Sequence, residues 1–536
     1  MRATRAPNRH VKAGAVGRRG LAAACPTIQL HCSPQFMENE HTKCCTTIFA
    51  HDKRDSKSRQ TEWRTACRAT TMFPLPLSDF EYYMLVDDRP SHPMVFVMTA
   101  QLSGAFHRTA LQQALSELIL SHPFLNRRVT LIPGRGWCWT PLATESASAP
   151  SASAGRIEWA DVDEDSVANF VPQVRSIDLR SESGLQIVVR ASPTTARLFL
   201  FIHHVCCDGI GGIQILGELL ARYGQKTAAA GDRRPVFDEL RVELLLEREN
   251  YDVGYATIER HRKSLRKTAG KILRLLLRKP VLLAPSVVST EPPSMDAVAS
   301  VPAILEASIT KAAHRKLRAV AAGQGVSVND LFIGQFLLHI RRWNSERNSG
   351  SDRSWIRLSI PVSMRTRVHD QMPVANVVSY AFVTRRQQEC DDMESLLKSI
   401  HRQTGDVVFN REGIVCLKIF KVLRKIPQGM KMFLGLKSCL STAVLANIGD
   451  IRRRFGGRFP LKNGKWVAGD VLVERLTGVA PVRPNTRAAV SIGEYAGELS
   501  ISLRTDAAAI NLADSQRFLR EFVEALEQLA ADVHDS

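Results

Sequence analysis

Apolar and polar positions along this chain repeat in an order of strand-like and helix-like segments that begins sharply at Met72. Residues 93–102 (PMVFVMTAQL) predict a strand. Residues 107–121 place Leu111, Ala114, Leu115 and Leu118 at helical spacing, so they predict an amphipathic helix. Pro123-Phe124-Leu125 leads into a further strand near 127–132, and the Ala- and Ser-rich stretch 143–155 reads as a loop. Two apolar runs, 185–191 and 197–203, flank Ser192-Pro193-Thr194-Thr195, which fits a hairpin loop. A helix over roughly 209–223 follows at once.

The pattern weakens over 225–300, where 285–298 (PSVVSTEPPSMDAV) has the composition of a linker. It then resumes. A strand is expected near 303–308, helices near 310–322 and 327–343, strands near 355–361 and 376–384, and a helix near 391–404. The end repeats the logic of the first half, with a hairpin of 487–493 and 497–504 before a helix near 511–533. This alternation predicts an α/β (α+β) protein of two lobes. The N-terminal lobe is assigned to 72–240, a basic segment and linker to 241–300, and the C-terminal lobe to 301–536.

Composition changes this picture at the N-terminus. Residues 1–71 hold 13 Lys and Arg against 5 acids, a surplus of +8 within a chain total of +19. They show no hydrophobic periodicity, so they cannot bury enough apolar surface to offset their ordering entropy. The expectation is a disordered basic extension, or one that precedes the true start at Met72. Its Arg content is weakly that of a transit peptide, and its broken apolar stretch makes a poor secretory signal. The basic balance favours acidic partners, whether anionic lipid or phosphate-bearing molecules. Signatures of nucleic-acid-binding modules are missing, so no nucleic acid partner is expected. The 11 cysteines form no paired CxxC set, which argues for reduced, buried thiols rather than a structural metal site.

The candidate chemistry lies at His203-His204-Val205-Cys206-Cys207-Asp208-Gly209, where an apolar strand gives way to a glycine-rich helix start. Four specified residues at this spacing arise by chance in roughly one chain of this length per thousand. An imidazole can accept the proton that an alcohol or amine loses on attacking a thioester near neutral pH. Adjacent side chains on a strand point to opposite faces, so only one of the two histidines can face a given cavity. Asp208 is close enough to organise the loop, and Gly209 is expected to permit a turn that a side chain would obstruct. Cys206 and Cys207 read as small packing residues. Divergent histidines with no further ligand cluster argue against a metal.

This motif in its strand-to-helix setting resembles the CoA-dependent acyltransferase superfamily. That group includes chloramphenicol acetyltransferase, nonribosomal peptide condensation domains, polyketide-associated acyltransferases and bacterial wax ester synthases. The resemblance spans roughly 72–536. PLPLSDFEYYMLVDD and PMVFVMTAQLSG look like the opening of the wax-synthase and condensation-like members. SVNDLFIGQFLLHIRRW (327–343), IPVSMRTR (360–367) and VLANIGD (444–450) look like later segments, while no DFGWG segment of the plant branch is present.

The resemblance implies two chloramphenicol-acetyltransferase-like lobes in a V, with an active-site tunnel between them. It implies His204 as general base, His203 and Asp208 as mainly structural, and an arginine paired to Asp208. Arg365 is the candidate, with Arg367 close behind. Asn447 is placed in the tunnel lining. The implied co-substrate is an acyl-CoA or phosphopantetheine thioester, with no permanently bound cofactor. Ester formation on an alcohol or lipid acceptor, amide condensation of the nonribosomal-peptide type, and a non-catalytic condensation-like binding module all stay open.

Two basic stretches bear on partners. Residues 260–279 hold nine Lys and Arg and no acid, with Arg260, Lys263, Lys267, Lys271, Arg274 and Arg278 forming one helical stripe opposite Leu265, Ala269, Ile272 and Leu276. Residues 411–437 mix Arg411, Lys418, Lys421, Arg424, Lys425, Lys431 and Lys437 with Ile, Leu, Phe and Met. Such faces suit either a solvated helix or an anionic membrane surface, and also suit CoA phosphates or an acidic acyl carrier protein. With no run of 18 apolar residues, the expectation is a cytoplasmic monomer, peripheral to a membrane where those faces are used.

Overall fold

The structure is a computed structural model that describes residues 72–142, 156–251, 270, 274–275, 277–287, 304–409, 411–436 and 439–532. The basic extension 1–71, the loop 143–155 and most of the 260–279 and 285–298 segments lie outside the described residues.

In chain order the first half carries β1 (Leu75–Pro76), α1 (Asp79–Asp87), β2 (Val95–Ser103), α2 (Arg108–Ser121), β3 (Arg127–Ile132), β4 (Gly136–Pro141), β5 (Arg156–Asp161), α3 (Glu164–Asn169), β6 (Leu185–Ala191), β7 (Thr195–His203) and α4 (Gly209–Thr227). The second half carries β8 (Leu305–Ile309), α5 (Lys311–Gly323), α6 (Val328–Glu346), β9 (Trp355–Ser363), β10 (Val378–Arg386), α7 (Met393–Phe409), α8 (Gly413–Lys425), α9 (Gly429–Gly435) and β11 (Ala443–Asp450). It continues with β12 (Leu461–Lys462), β13 (Lys465–Ala468), β14 (Val471–Val479), β15 (Ala488–Tyr495), β16 (Glu498–Thr505) and α10 (Leu512–Ala531). Helices start where a short polar side chain can accept a free amide. Ser78, Asp208, Thr310, Ser327 and Asn511 all cap in this way.

Among the described residues, one mixed sheet has the order β12-β13-β14-β2-β7-β6-β5 and another has β10-β9-β11-β15-β16-β8. A small sheet, β1-β4-β3, flanks the first. Strand β7 lies between β2 and β6, and Leu198, Phe199, Leu200, Phe201 and Ile202 are all buried. Burial on both faces explains why this strand reads as an unbroken apolar run rather than an alternation.

The order of the first sheet crosses the division of the chain at 301. Strands β12 to β14 fall within the assigned C-terminal lobe, yet β14 pairs antiparallel with β2, with Val479 opposite Val97 and Leu472 opposite Ser103. The edge of β2 away from β7 would otherwise be unpaired, and an unpaired strand edge leaves backbone donors and acceptors unsatisfied. The second half therefore completes the sheet that carries the histidine motif. The chain then returns through residues 480–487 to β15 of the other sheet. Among the described residues no helix is long and apolar enough to cross a membrane.

Candidate active site

The motif begins at the last residue of β7. His203 is opposite Val95 on β2, and the next backbone amide, that of His204, donates to the Met94 carbonyl at 2.7 Å. The two imidazoles diverge. His203 is fully buried, and its Nδ1 accepts from the Val205 amide at 3.2 Å. Its proton is thereby placed on Nε2, which lies 3.6 Å from Asp88 Oδ2. That separation is too long for a hydrogen bond. Burial alone would raise the Asp88 carboxyl, but His203 and the Met94 amide outweigh it and hold it below its ordinary value.

His204 turns the other way, into a cavity of about 510 Å³. The cavity is walled by residues of both halves, among them Tyr83, Met94, Tyr380, Cys416, Phe420 and Arg483. Its ring lies edge-on to Phe96, with centroids 5.2 Å apart, and 6.5 Å from Phe80. Burial pushes the imidazole below the usual histidine range, while its own backbone carbonyl, Asp208 and the Asn376 side chain oppose that shift. The net direction is downward, so at neutral pH the ring is unprotonated and can accept a proton.

Asp208 does not reach into this cavity. It caps α4, its Oδ1 accepting from the Gly211 amide at 2.9 Å, and its Oδ2 accepts from the Val377 amide at 2.9 Å. Arg365, just after β9, grips both oxygens: Nη1 donates to Oδ2 at 2.7 Å and Nη2 to Oδ1 at 3.0 Å. Burial would raise the Asp208 carboxyl, but Arg365 and the two amides more than offset this and keep it below its ordinary value. A carboxylate with every lone pair engaged is an organiser, not a proton shuttle. It fixes the motif turn to the segment that follows β9.

Gly209 is the first residue of α4, and a Cβ there would meet only Ile448, at 3.9 Å, an ordinary contact. The steric demand falls instead on Gly211, where a Cβ would come within 2.7 Å of Cys207 Cβ, and on Gly212, within 2.5 Å of Phe96. Asn447 is not among the residues lining the cavity that holds His204. Its Nδ2 donates to Asn329 at 3.0 Å and its Oδ1 accepts from the Gly449 amide at 2.9 Å, so it braces a bulge in β11. Arg367, the second candidate for Asp208, sits in a short 3₁₀ turn, and the pair is made by Arg365. Cys206 and Cys207 are fully buried with their thiols pushed up by burial, and Cys206 packs against Gly184.

Asn376 was not singled out in the sequence. Its Nδ2 donates to the carbonyls of both His204 and Val205, each at 2.8 Å, and so clamps the turn that aims the imidazole. The available signal was a lone polar residue inside the apolar run Val374-Ala375-Asn376-Val377-Val378, since a buried amide must be hydrogen-bonded.

No protein-family model matches the chain. Uncharacterized protein Rv2305 of Mycobacterium tuberculosis (strain ATCC 25618 / H37Rv) is 24% identical over 349 residues, covering 62% of this chain and 71% of its own. Among solved structures, the first condensation domain of the CDA synthetase superposes with a TM-score of 0.61 at 14% identity, covering 85% of this chain and 96% of that one. Polyketide synthase associated protein 5 from Mycobacterium tuberculosis gives 0.53 at 17%, covering 85% and 98%. TRI3 trichothecene 15-O-acetyltransferase from Fusarium sporotrichioides gives 0.58 at 12%, covering 84% and 94%. At these identities the likeness establishes the fold. The chain is a mixed α/β protein with the fold of these condensation-domain and acetyltransferase structures.

Proposed function

We propose that this protein is an acyltransferase that moves an acyl group from a CoA or carrier-protein thioester to an alcohol or amine, with His204 as general base. The observation that carries this reading is the His204 ring facing a cavity, its backbone clamped by Asn376 and its turn held by Asp208 and Arg365. In the reaction, the acceptor O–H or N–H gives its proton to His204 as the nucleophile bonds to the thioester carbonyl carbon. The tetrahedral intermediate then collapses, the C–S bond breaks, and the imidazolium returns the proton to the departing thiolate. Proton count and charge balance without an enzyme-bound acyl group.

Several features support a lipophilic substrate and a phosphate-bearing donor. Helix α8 closes the cavity with Phe420, which stacks on Tyr83 at 4.3 Å. The outer faces of α8 and α9 expose Val422, Ile426 and Met432 beside exposed Lys418, Lys421, Lys425 and Lys431, a composition suited to an anionic membrane surface. Arg274, Arg278 and Arg402 also line the cavity and would suit the phosphates of CoA or a pantetheine arm. Amide condensation with a carrier-bound donor is the second reading, favoured by the likeness to condensation domains. A panel of acyl-CoAs against alcohol and amine acceptors, read by mass spectrometry, tests both. An ester or amide that appears only with intact His204 supports acyl transfer. No product with any CoA or carrier-loaded donor, together with capture of a carrier-bearing partner, would replace it with a binding module.

A further inference from the structure

The loop between β14 and β15 brings an arginine into the cavity wall that the histidine motif does not account for. Arg483 lines the cavity together with its neighbours Ala480 and Pro481, and with Tyr83 and Tyr380. Its Nε donates to Asp87, the last residue of α1, whose carboxylate is almost wholly buried. The arginine itself keeps 16% of its side-chain surface exposed against 1% for the aspartate, so the positive partner is the one that reaches open space.

A guanidinium has three donor-bearing nitrogens, and the Asp87 contact uses one. Among the described residues, Nη1 and Nη2 have no hydrogen-bond partner and neither is fully buried, and Arg483 lines the cavity. The guanidinium carbon lies 5.3 Å from the centre of the Tyr83 ring. Tyr83 in turn packs against Phe80, with centroids 5.7 Å apart, and Phe80 lies beside the His204 ring. The arginine and the histidine are thus two ends of one aromatic wall. Burial alone would favour loss of the Arg483 proton, but Tyr83 and Asp87 outweigh it and hold the side chain charged.

We propose that the Nη1–Nη2 edge of Arg483 anchors a carboxylate on the substrate, so that this enzyme acts on a carboxylate-bearing lipophilic molecule rather than a simple fatty alcohol. The proposal rests on the acyl-transfer reading above and names the substrate class for the same site. One guanidinium edge matches the two oxygens of a carboxylate in a bidentate pair. A phosphate dianion would call for a second cation, and the groups that act most strongly on Arg483 are Tyr83, Asp87 and Tyr380, with Cys416 also coupled to it, none of them cationic. A structural pair alone would need only the Asp87 contact and would be served as well by an arginine turned away from the cavity.

The test uses 3-hydroxydecanoate and its methyl ester as a matched pair of acceptors, with decanoyl-CoA as donor. The wild-type protein is expected to favour the free acid in kcat/KM by at least about tenfold, the scale of one charge-assisted pair. In Arg483→Met that ratio is expected to collapse toward one. Because the single change strands a buried Asp87, the double variant Arg483→Met with Asp87→Asn keeps the charge balance and is measured beside it. Binding of 3-hydroxydecanoate to the His204→Ala protein, followed by calorimetry, separates the two readings. Arg483-dependent binding without turnover in wild type sustains the anchor and overturns acyl transfer. Turnover with an unchanged acid-to-ester ratio in the Arg483 variants overturns the anchor and leaves acyl transfer standing. No preference for the acid in wild type, or no binding of it, also overturns the anchor.

Discussion

Asp208 and Arg365 lie 157 positions apart and meet in a two-point ion pair at 2.7 and 3.0 Å. The pair ties the histidine turn, built on the first sheet, to the segment after β9 of the second. It is the strongest polar link in the site, since Asp208 is 3% exposed and all its lone pairs are engaged. Arg365→Ala would leave a buried carboxylate without its cation. The expected cost is about 3 kcal/mol, read as a lower urea midpoint with unchanged slope. Arg365→Lys is expected to recover only part of this, because an ammonium cannot grip both oxygens. An unchanged midpoint in Arg365→Ala would show that the pair is not coupled to the fold.

The glycines of the motif should separate by position. Gly209→Ala is expected to unfold within about 0.5 kcal/mol of wild type, since its Cβ meets nothing closer than 3.9 Å. Gly212→Ala forces a Cβ against Phe96, which packs edge-on to His204. A loss of about 1–3 kcal/mol is expected, together with lower turnover. Equal unfolding midpoints for the two variants would refute this ordering.

Acidity offers a third check. Burial dominates at His204 and holds its folded pKa below the ordinary histidine value of 6.5. A base with a lowered pKa stays unprotonated to lower pH, so the acid limb of kcat/KM should fall below pH 6.5. The same shift has a sign for stability. The unfolded chain takes up the His204 proton more readily, so this residue's contribution is complete above pH 6.5 and is lost as pH falls toward the folded pKa. An acid limb above pH 6.5 would mean that His204 is not the titrating base or that its surroundings are not desolvated.

The two cysteines inside the motif should be chemically silent. Both are fully buried with raised thiols. Native protein is expected to resist alkylation at Cys206 and Cys207, and Cys207→Ala should keep turnover within about threefold, a loss well short of that for a nucleophile. Loss of turnover by several orders of magnitude would restore a thiol to the chemistry.

How much of this could be read beforehand depends on range along the chain. The β7 strand, its histidines and the Asp208 cap occupy one continuous stretch, so local pattern located them. The hairpins β6–β7 and β15–β16 were legible for the same reason. Strand β14 was not, because its partner β2 lies more than 360 residues earlier and nothing in VLVERLTGV names the sheet it will join. Arg365 came from a family resemblance, not from spacing. Arg483 and Asn376 reach their partners only once distant parts of the chain meet, and a segment's identity does not say which face of β11 Asn447 presents. Gly209 differs for a simpler reason: a glycine in a motif suggests a steric need, and here the need lies two and three residues on.

In the proposed reaction His204 takes the acceptor's proton during acyl transfer. The direct measurement is turnover of a thioester and acceptor pair found active for wild type, compared with His204→Ala and His204→Gln at equal, verified folding. Both variants are expected to lose at least about a hundredfold in kcat, the scale of general-base catalysis, with donor affinity little changed. Retention of wild-type kcat in either folded variant would contradict it.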